Sequence, residues 1–283
     1  MNKLLLGIFF VYLGILLVSA TPLLPNLPQE SIVTASDGPP NVRLGNSLTG
    51  GNIGFLEDFN GDGYSEFFGG ATAPGQGGFV LIFDGKTGNT IRSLQGTVPA
   101  GTFGAELANL GDVNGNGFSD LAVLEENYLA TARIVYIFDT FTGFLLYQIS
   151  VPGGFSIDNA GDVNNDGLSD LVISSAVFSG GGTTNILSSL NYYNGANGVL
   201  IRQNSLPLNT YIFSVTTVRD FDNDGIRDTL VGDPYVSFGG TPTPGQIRIY
   251  SALTGAQLFI FNGFNINDLF GASGAKIGDF DGD

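Results

Sequence analysis

The chain has 283 residues, 43% hydrophobic and 12% aromatic, which is too apolar for disorder and enough for one large β domain or two small ones. Its net charge of −16, from 26 acidic against 10 basic residues with no basic stripe, would repel a phosphate backbone and excludes nucleic acid as a partner. Cysteine and histidine are both absent, which removes disulfides, the usual zinc sites and His-based catalytic triads.

Lys3, an apolar run over 4–18 and the small-residue sequence Val18-Ser19-Ala20 predict an export signal over residues 1–20. The run is shorter than the roughly 20 residues a spanning helix needs. No later segment is long and apolar enough to span, so no integral membrane span is expected after signal cleavage. The expected location is therefore secreted, extracellular or at the cell surface. Residues 21–40, with Pro22, Pro25, Pro28, Pro39 and Pro40 among polar residues, predict a linker. The 43 glycines of the whole chain follow no three-residue period, which removes collagen, and they suit tight turns between short strands.

From residue 41 onward the sequence repeats. A short acidic motif starts at Asp58, Asp112, Asp162, Asp220 and Asp279, spaced 54, 50, 58 and 59 residues apart. A turn ending in glycine keeps step at Gly88, Gly143, Gly198 and Gly255. After each motif comes a β-rich run (121–124, 171–173), then an aromatic and β-branched run (79–83, 134–138). The glycine turn, another strand (144–149) and a fourth strand before the next motif complete the unit. Four short strands in about 55 residues, without helical periodicity, predict an all-β fold, a β-propeller of four-stranded antiparallel blades. The sequence stops at Asp283, inside the fifth motif, so the reading is four blades, a fifth begun, and a propeller truncated over 41–283.

The acidic motifs align position by position. Position 1 is Asp58, Asp112, Asp162 and Asp220; position 3 is Asn60, Asn114, Asn164 and Asp222; position 5 is Asp62, Asn116, Asp166 and Asp224. Position 6 is always glycine, and position 9 is Glu66, Asp120, Asp170 and Asp228. Oxygens converging from 1, 3, 5 and 9, with the main-chain carbonyl of Tyr64, Phe118, Leu168 or Ile226 at position 7, make a set of hard ligands suited to calcium. The fifth motif offers Asp279, Asp281 and Asp283 before the sequence stops. Successive motifs hold three, two, three, four and three acids, which without a cation would repel one another. The 112 motif, with asparagine at positions 3 and 5, is the weakest. An EF-hand would carry glutamate at position 12, where Gly69, Val123, Ile173 and Val231 stand instead. Apolar residues at positions 2 and 7 are expected to point into the blade.

With these motifs the chain resembles the FG-GAP repeat family, found in integrin alpha propellers and in many bacterial secreted proteins. Phe103-Gly104 and Phe270-Gly271 each lie nine residues before an acidic motif. Gly232-Asp233-Pro234 and, in part, Gly70-Ala71 with Pro74 supply the second half of the name motif. Thr49, Gly153 and Tyr211 replace the phenylalanine in the other units. The resemblance implies seven blades in a full ring and an extracellular binding or adhesion module for a protein or carbohydrate ligand. The chain is read as not an enzyme; a polysaccharide-degrading propeller or a scaffold module are the alternatives. Glu30, Glu57, Glu106, Glu125 and Glu126 are the main acids outside the motifs, and Glu125-Glu126 reads as a solvated turn. Tyr128, Tyr192, Tyr193 and Tyr235 read as packing or turn residues of long loops rather than ligand anchors.

Overall fold

The structure, a computed structural model, describes residues 43–44, 53–73, 77–96, 101–126, 132–179, 185–234, 244–266 and 268–274. The export signal, the linker, Tyr128, Tyr235 and the fifth motif with Asp279, Asp281 and Asp283 lie outside the described residues.

Four antiparallel sheets follow one another along the chain, and no helix occurs among the described residues. The first holds β1 (Arg43–Leu44), β2 (Ile53–Phe55), β3 (Phe67–Ala73), β4 (Gly77–Phe83) and β5 (Thr90–Gln95), with β1 and β2 both paired to β3. The second runs β6 (Thr102–Gly111), β7 (Asp120–Glu126), β8 (Ala132–Asp139) and β9 (Leu145–Pro152) in sequence order. The third is β10 (Gly154–Gly161), β11 (Asp170–Ser179), β12 (Asn185–Tyr193) and β13 (Leu200–Ser205). The fourth is β14 (Ser214–Thr217), β15 (Thr229–Asp233), β16 (Gln246–Tyr250) and β17 (Gln257–Asn262). The second, third and fourth sheets are four-stranded meanders, and the first strand of the third, β10, lies against both β6 and β14. This is the predicted propeller of four-stranded blades.

The hydrophobic cores lie between the blades. One joins Phe68, Val80 and Ile82 of the first blade to Phe103, Tyr136 and Phe138 of the second. The next joins Leu124, Val135 and Ile137 to Ile157, Leu171 and Ile173 of the third. The last joins Val172, Leu190 and Tyr192 to Val215, Val231 and Tyr250 of the fourth. A strand between two such cores is covered on both faces, so β7 is buried from Asp120 to Glu125 without alternation. The outer strand β9 has only one covered face and alternates over its second half. The predicted solvated turn at Glu125 is therefore corrected: Glu125 is buried within β7, and the Tyr136 hydroxyl donates to its Oε2 at 2.7 Å. Tyr192 and Tyr193 lie in β12 rather than in a loop.

The glycines of the Phe-Gly sequences close the blade interfaces. A Cβ on Gly70 would lie 2.3 Å from the Gly104 carbonyl oxygen, and one on Gly232 would lie 1.9 Å from that of Gly271. Only glycine permits such an approach of two backbones. Gly70 thus receives Gly104 of the following blade, and Gly232 receives Gly271 beyond the fourth.

Candidate functional site

All four described acidic motifs occupy the same place, the connection β2–β3, β6–β7, β10–β11 or β14–β15 between two paired strands. Position 1 organises the loop. Asp58 Oδ1 accepts from the Gly61 and Asp62 N–H groups at 2.7 and 3.1 Å, and its Oδ2 accepts from Gly63 N–H at 2.7 Å. Asp112 repeats the pattern with Gly115, Asn116 and Gly117. Asp162 takes Asp166 and Gly167, and Asp220 takes Asp224 and Gly225. Position 3 then accepts from the N–H of position 5, and position 5 from that of position 7, as in Asn60–Asp62–Tyr64 at 2.9 Å each. The glycine of position 6 has φ of +90°, +90°, +88° and +90° in the four loops, a conformation side chains with a Cβ rarely adopt.

Position 9 is buried in every loop, and its carboxylate accepts from the N–H of position 2. Those distances are 3.0 Å for Phe59 to Glu66, 2.9 Å for Val113 to Asp120, 2.8 Å for Val163 to Asp170 and 2.6 Å for Phe221 to Asp228. The loops differ in the second oxygen. Asp120 Oδ1 accepts from Asn114 Nδ2 and Asp170 Oδ1 from Gly195 N–H. Glu66 Oε1 and Asp228 Oδ1 are buried with no hydrogen-bond partner, on residues with 0% exposure.

The electrostatics follow from this burial. Burial pushes the Asp120 carboxyl up to about 6, with the Asp139 and Asp112 charges adding to it. Asp228 is likewise raised to about 6 by burial, reinforced by Asp222, Asp220 and Asp224. Glu66 and Asp170 are raised for the same first reason, with Asp58 and Asp62 acting on Glu66 and Asp166 on Asp170. At the rim the sign reverses: the Gly63 N–H holds Asp58 below the ordinary range, and the Leu168 N–H does the same for Asp166. In the fourth loop carboxylate oxygens of Asp220, Asp222 and Asp224 lie within 4.8 Å of one another.

The side chains at positions 2 and 7 only partly match expectation. Val113, Val163 and Ile226 are buried, but Tyr64 is 53% exposed and lies under Lys86 at 5.6 Å. The expectation that it points into the blade is corrected: its hydroxyl favours solvent, and the neighbouring turn supplies a cation for its ring. Phe118 stacks on Phe141 at 4.3 Å and meets Phe59 edge-on at 6.3 Å. The second and third loops therefore carry their position-7 chains half-buried.

Sequence reasoning missed the residues that brace the loops. Four residues before each turn glycine stand Asp84, Asp139, Asn194 and Ser251, each accepting that glycine's N–H at 2.8 to 2.9 Å. Asn194 Nδ2 donates to Asp166 Oδ2 at 2.5 Å and Ser251 Oγ to Asp224 Oδ2 at 3.3 Å, both at position 5. Asn60 Nδ2 donates to Asp84 Oδ2 at 2.9 Å. The signal was the constant spacing from the turn glycine. Between blades, Asn109 Nδ2 donates to the Phe55 carbonyl and Asn159 Nδ2 to the Asn109 carbonyl at 3.0 and 2.9 Å, each from three residues before an acidic motif. Glu57, unassigned from the sequence, accepts from both the main-chain N–H and the hydroxyl of Ser119 in the neighbouring loop.

No family model matches the chain, and no curated protein matches it. Solved structures do. The β-propeller domain of the trilobed protease from Pyrococcus furiosus, described as having an open velcro topology, is 12% identical with a TM-score of 0.41, covering 69% of this chain and 53% of that one. Rhamnogalacturonan lyase PL11 of Bacillus licheniformis is 12% identical with a TM-score of 0.39, covering 80% and 48%. The exotype rhamnogalacturonan lyase YesX is 11% identical with a TM-score of 0.38, covering 79% and 58%. The chain spans about half the length of these structures. Two of the three are enzymes, and on that finding the expectation that the chain is not an enzyme is withdrawn. The chain is thus similar in fold to β-propeller proteins.

Proposed function

We propose that the chain is an extracellular, calcium-binding propeller of the FG-GAP type, serving as a binding platform for a protein or carbohydrate. The observation that carries the calcium reading is the pair of buried, unpartnered oxygens Glu66 Oε1 and Asp228 Oδ1. A buried carboxylate oxygen without a partner costs roughly 1–3 kcal/mol or more, and a hard cation in the loop removes that cost. Asp58, Asn60, Asp62, the Tyr64 carbonyl and Glu66 would hold one ion. Asp220, Asp222, Asp224, the Ile226 carbonyl and Asp228 would hold another. The loops at 112–120 and 162–170 have the same ligand positions, but their position-9 oxygens are already engaged. They rank below the other two. Bound calcium supplies positive charge that keeps the position-9 acids ionised and ties the first and second strands of a blade together. The predicted export signal supports an extracellular setting, and the recurrence of the loop on every described blade supports a bracing role rather than a single reactive centre.

Affinities on the order of 10⁻⁴ to 10⁻³ M suit extracellular modules. At about 10 mM calcium such a site adds about 1.4–2.7 kcal/mol by mass action. Thermal melting in calcium and in chelator, with titration calorimetry for stoichiometry, tests this. A higher Tm in calcium and at least two bound ions are expected; identical melting curves would sink the reading.

A further inference from the structure

The third blade differs from the second where the missing phenylalanine would sit. In the second blade Phe103 is fully buried, with its ring 5.6 Å from Tyr136 and 5.9 Å from Phe138. Tyr136 and Phe138 stand seven and five residues before the turn glycine Gly143. The matching residues before Gly198 are Asn191 and Tyr193; Gly153 has the spacing of Phe103 from the acidic motif, and Gly154, opposite Ser175, takes the register place of Phe103 opposite Glu125. Gly153 cannot regain a side chain: its φ is +69° and a Cβ would lie 2.5 Å from the Ala176 carbonyl oxygen. Between the end of β9 and the face of the third blade lies a cavity of about 430 Å³, within the range of small-ligand sites.

Its wall mixes serine hydroxyls and amides with apolar side chains, among them Val177 and Leu187, and carries no charged side chain, in a chain of net charge −16. Ser175 Oγ and Ser189 Oγ are 2.9 Å apart. Asn191 Nδ2 donates to Ser175 Oγ at 3.0 Å, while its Oδ1 accepts from Gln203 Nε2 at 2.8 Å. This network fixes the amides and hydroxyls in place. The Gln203 side-chain Oε1, the Ser205 hydroxyl and the Tyr193 hydroxyl remain without a protein partner among the described residues. Val151 and Pro152 close one side, and Tyr193 also packs against the core between the second and third blades.

We propose that this cavity, in a blade that has Gly153-Gly154 where the second blade has its phenylalanine, binds a neutral polyhydroxylated ligand, a sugar residue. Amides and hydroxyls both donate and accept, as sugar hydroxyls require. The apolar side from Val151, Pro152 and Tyr193 suits the C–H face of a pyranose. An acidic ligand would meet no cation here. The proposal deepens the binding-platform reading and rests on it, but calcium takes no part in the site.

Saturation-transfer NMR and calorimetry on the full chain in calcium, with D-glucose, D-galactose and cellobiose, test it, with glucuronate as the acidic comparison. Millimolar binding of at least one neutral sugar is expected, with glucuronate at least tenfold weaker. Gln203→Leu keeps the volume and deletes the amide, and Ser189→Phe fills the cavity. Each is expected to weaken binding at least tenfold, and Gln203→Leu to leave the calcium-dependent melting shift unchanged. No neutral-sugar signal, equal binding of glucuronate, or an unchanged Kd in Gln203→Leu would overturn the proposal. Loss of the calcium shift in the unaltered chain with sugar binding intact would instead overturn the calcium reading alone.

Discussion

Asp220 and Asp112 hold the same position in their loops and make the same backbone hydrogen bonds, yet their surroundings differ. Asp220 faces Asp222 and Asp224 within 4.8 Å, above a position-9 acid with an open oxygen. Asp112 has asparagines at positions 3 and 5, and both oxygens of Asp120 are engaged. Each aspartate also accepts from main-chain N–H groups, so either alanine substitution is expected to lower stability in chelator as well. The calcium-dependent part separates them. Asp220→Ala is expected to remove about 1.4–2.7 kcal/mol of the stabilisation gained at about 10 mM calcium, and Asp112→Ala much less. Melting of both variants with and without chelator measures the difference, and equal calcium increments would refute the ranking of the loops.

A blade of this protein has little core of its own; its side chains interlock with those of the next blade. The element-scale weak points are therefore the places where two blades meet backbone to backbone. Gly70→Ala would bring a methyl to 2.3 Å from the Gly104 carbonyl oxygen, and Gly232→Ala would bring one to 1.9 Å from that of Gly271. Overpacking of this kind costs about 1–3 kcal/mol, sometimes more. Both substitutions are expected to lower Tm in calcium and in chelator alike, because neither residue belongs to an acidic loop. Gly225→Ala, with nothing within 4 Å of its Cβ, meets only the backbone penalty of φ +90° and is expected to change the calcium increment as well. Urea titrations of the three variants in both conditions check that split; a calcium-sensitive loss in Gly70→Ala would contradict it.

On the scale of the molecule, apolar side chains collect on the last described strand and beyond it. Phe259, Ile260 and Phe261 of β17 are exposed, and Phe264 is 98% exposed. Phe270, the phenylalanine of the second Phe-Gly pair, remains partly exposed, whereas its counterpart Phe103 is fully buried. Contiguous apolar surface of this kind promotes association. The 283-residue chain is expected to self-associate in a concentration-dependent way, and the double substitution Phe261→Ser with Phe264→Ser to reduce it. Light scattering across a dilution series reads this directly; a monodisperse monomer at all concentrations would overturn it.

The sequence by itself determined the repeat, the four-stranded unit and the loop that joins its first two strands. These depend on local chemistry: the left-handed glycine at position 6, the aspartate that gathers N–H groups behind it, and strand-forming runs of fixed length. The sequence also made the 112 loop the weakest from its two asparagines. Only the tertiary structure decided which position-9 oxygens are open, because Asn114 and Gly195 reach them through loop and turn geometry. It alone buried Glu125, which sits where a solvated turn was expected, since whether a strand end meets water depends on what the adjoining blade lays across it. It alone placed a cavity in the blade that lacks the phenylalanine, for an absent side chain leaves room only where no neighbour moves in to fill it.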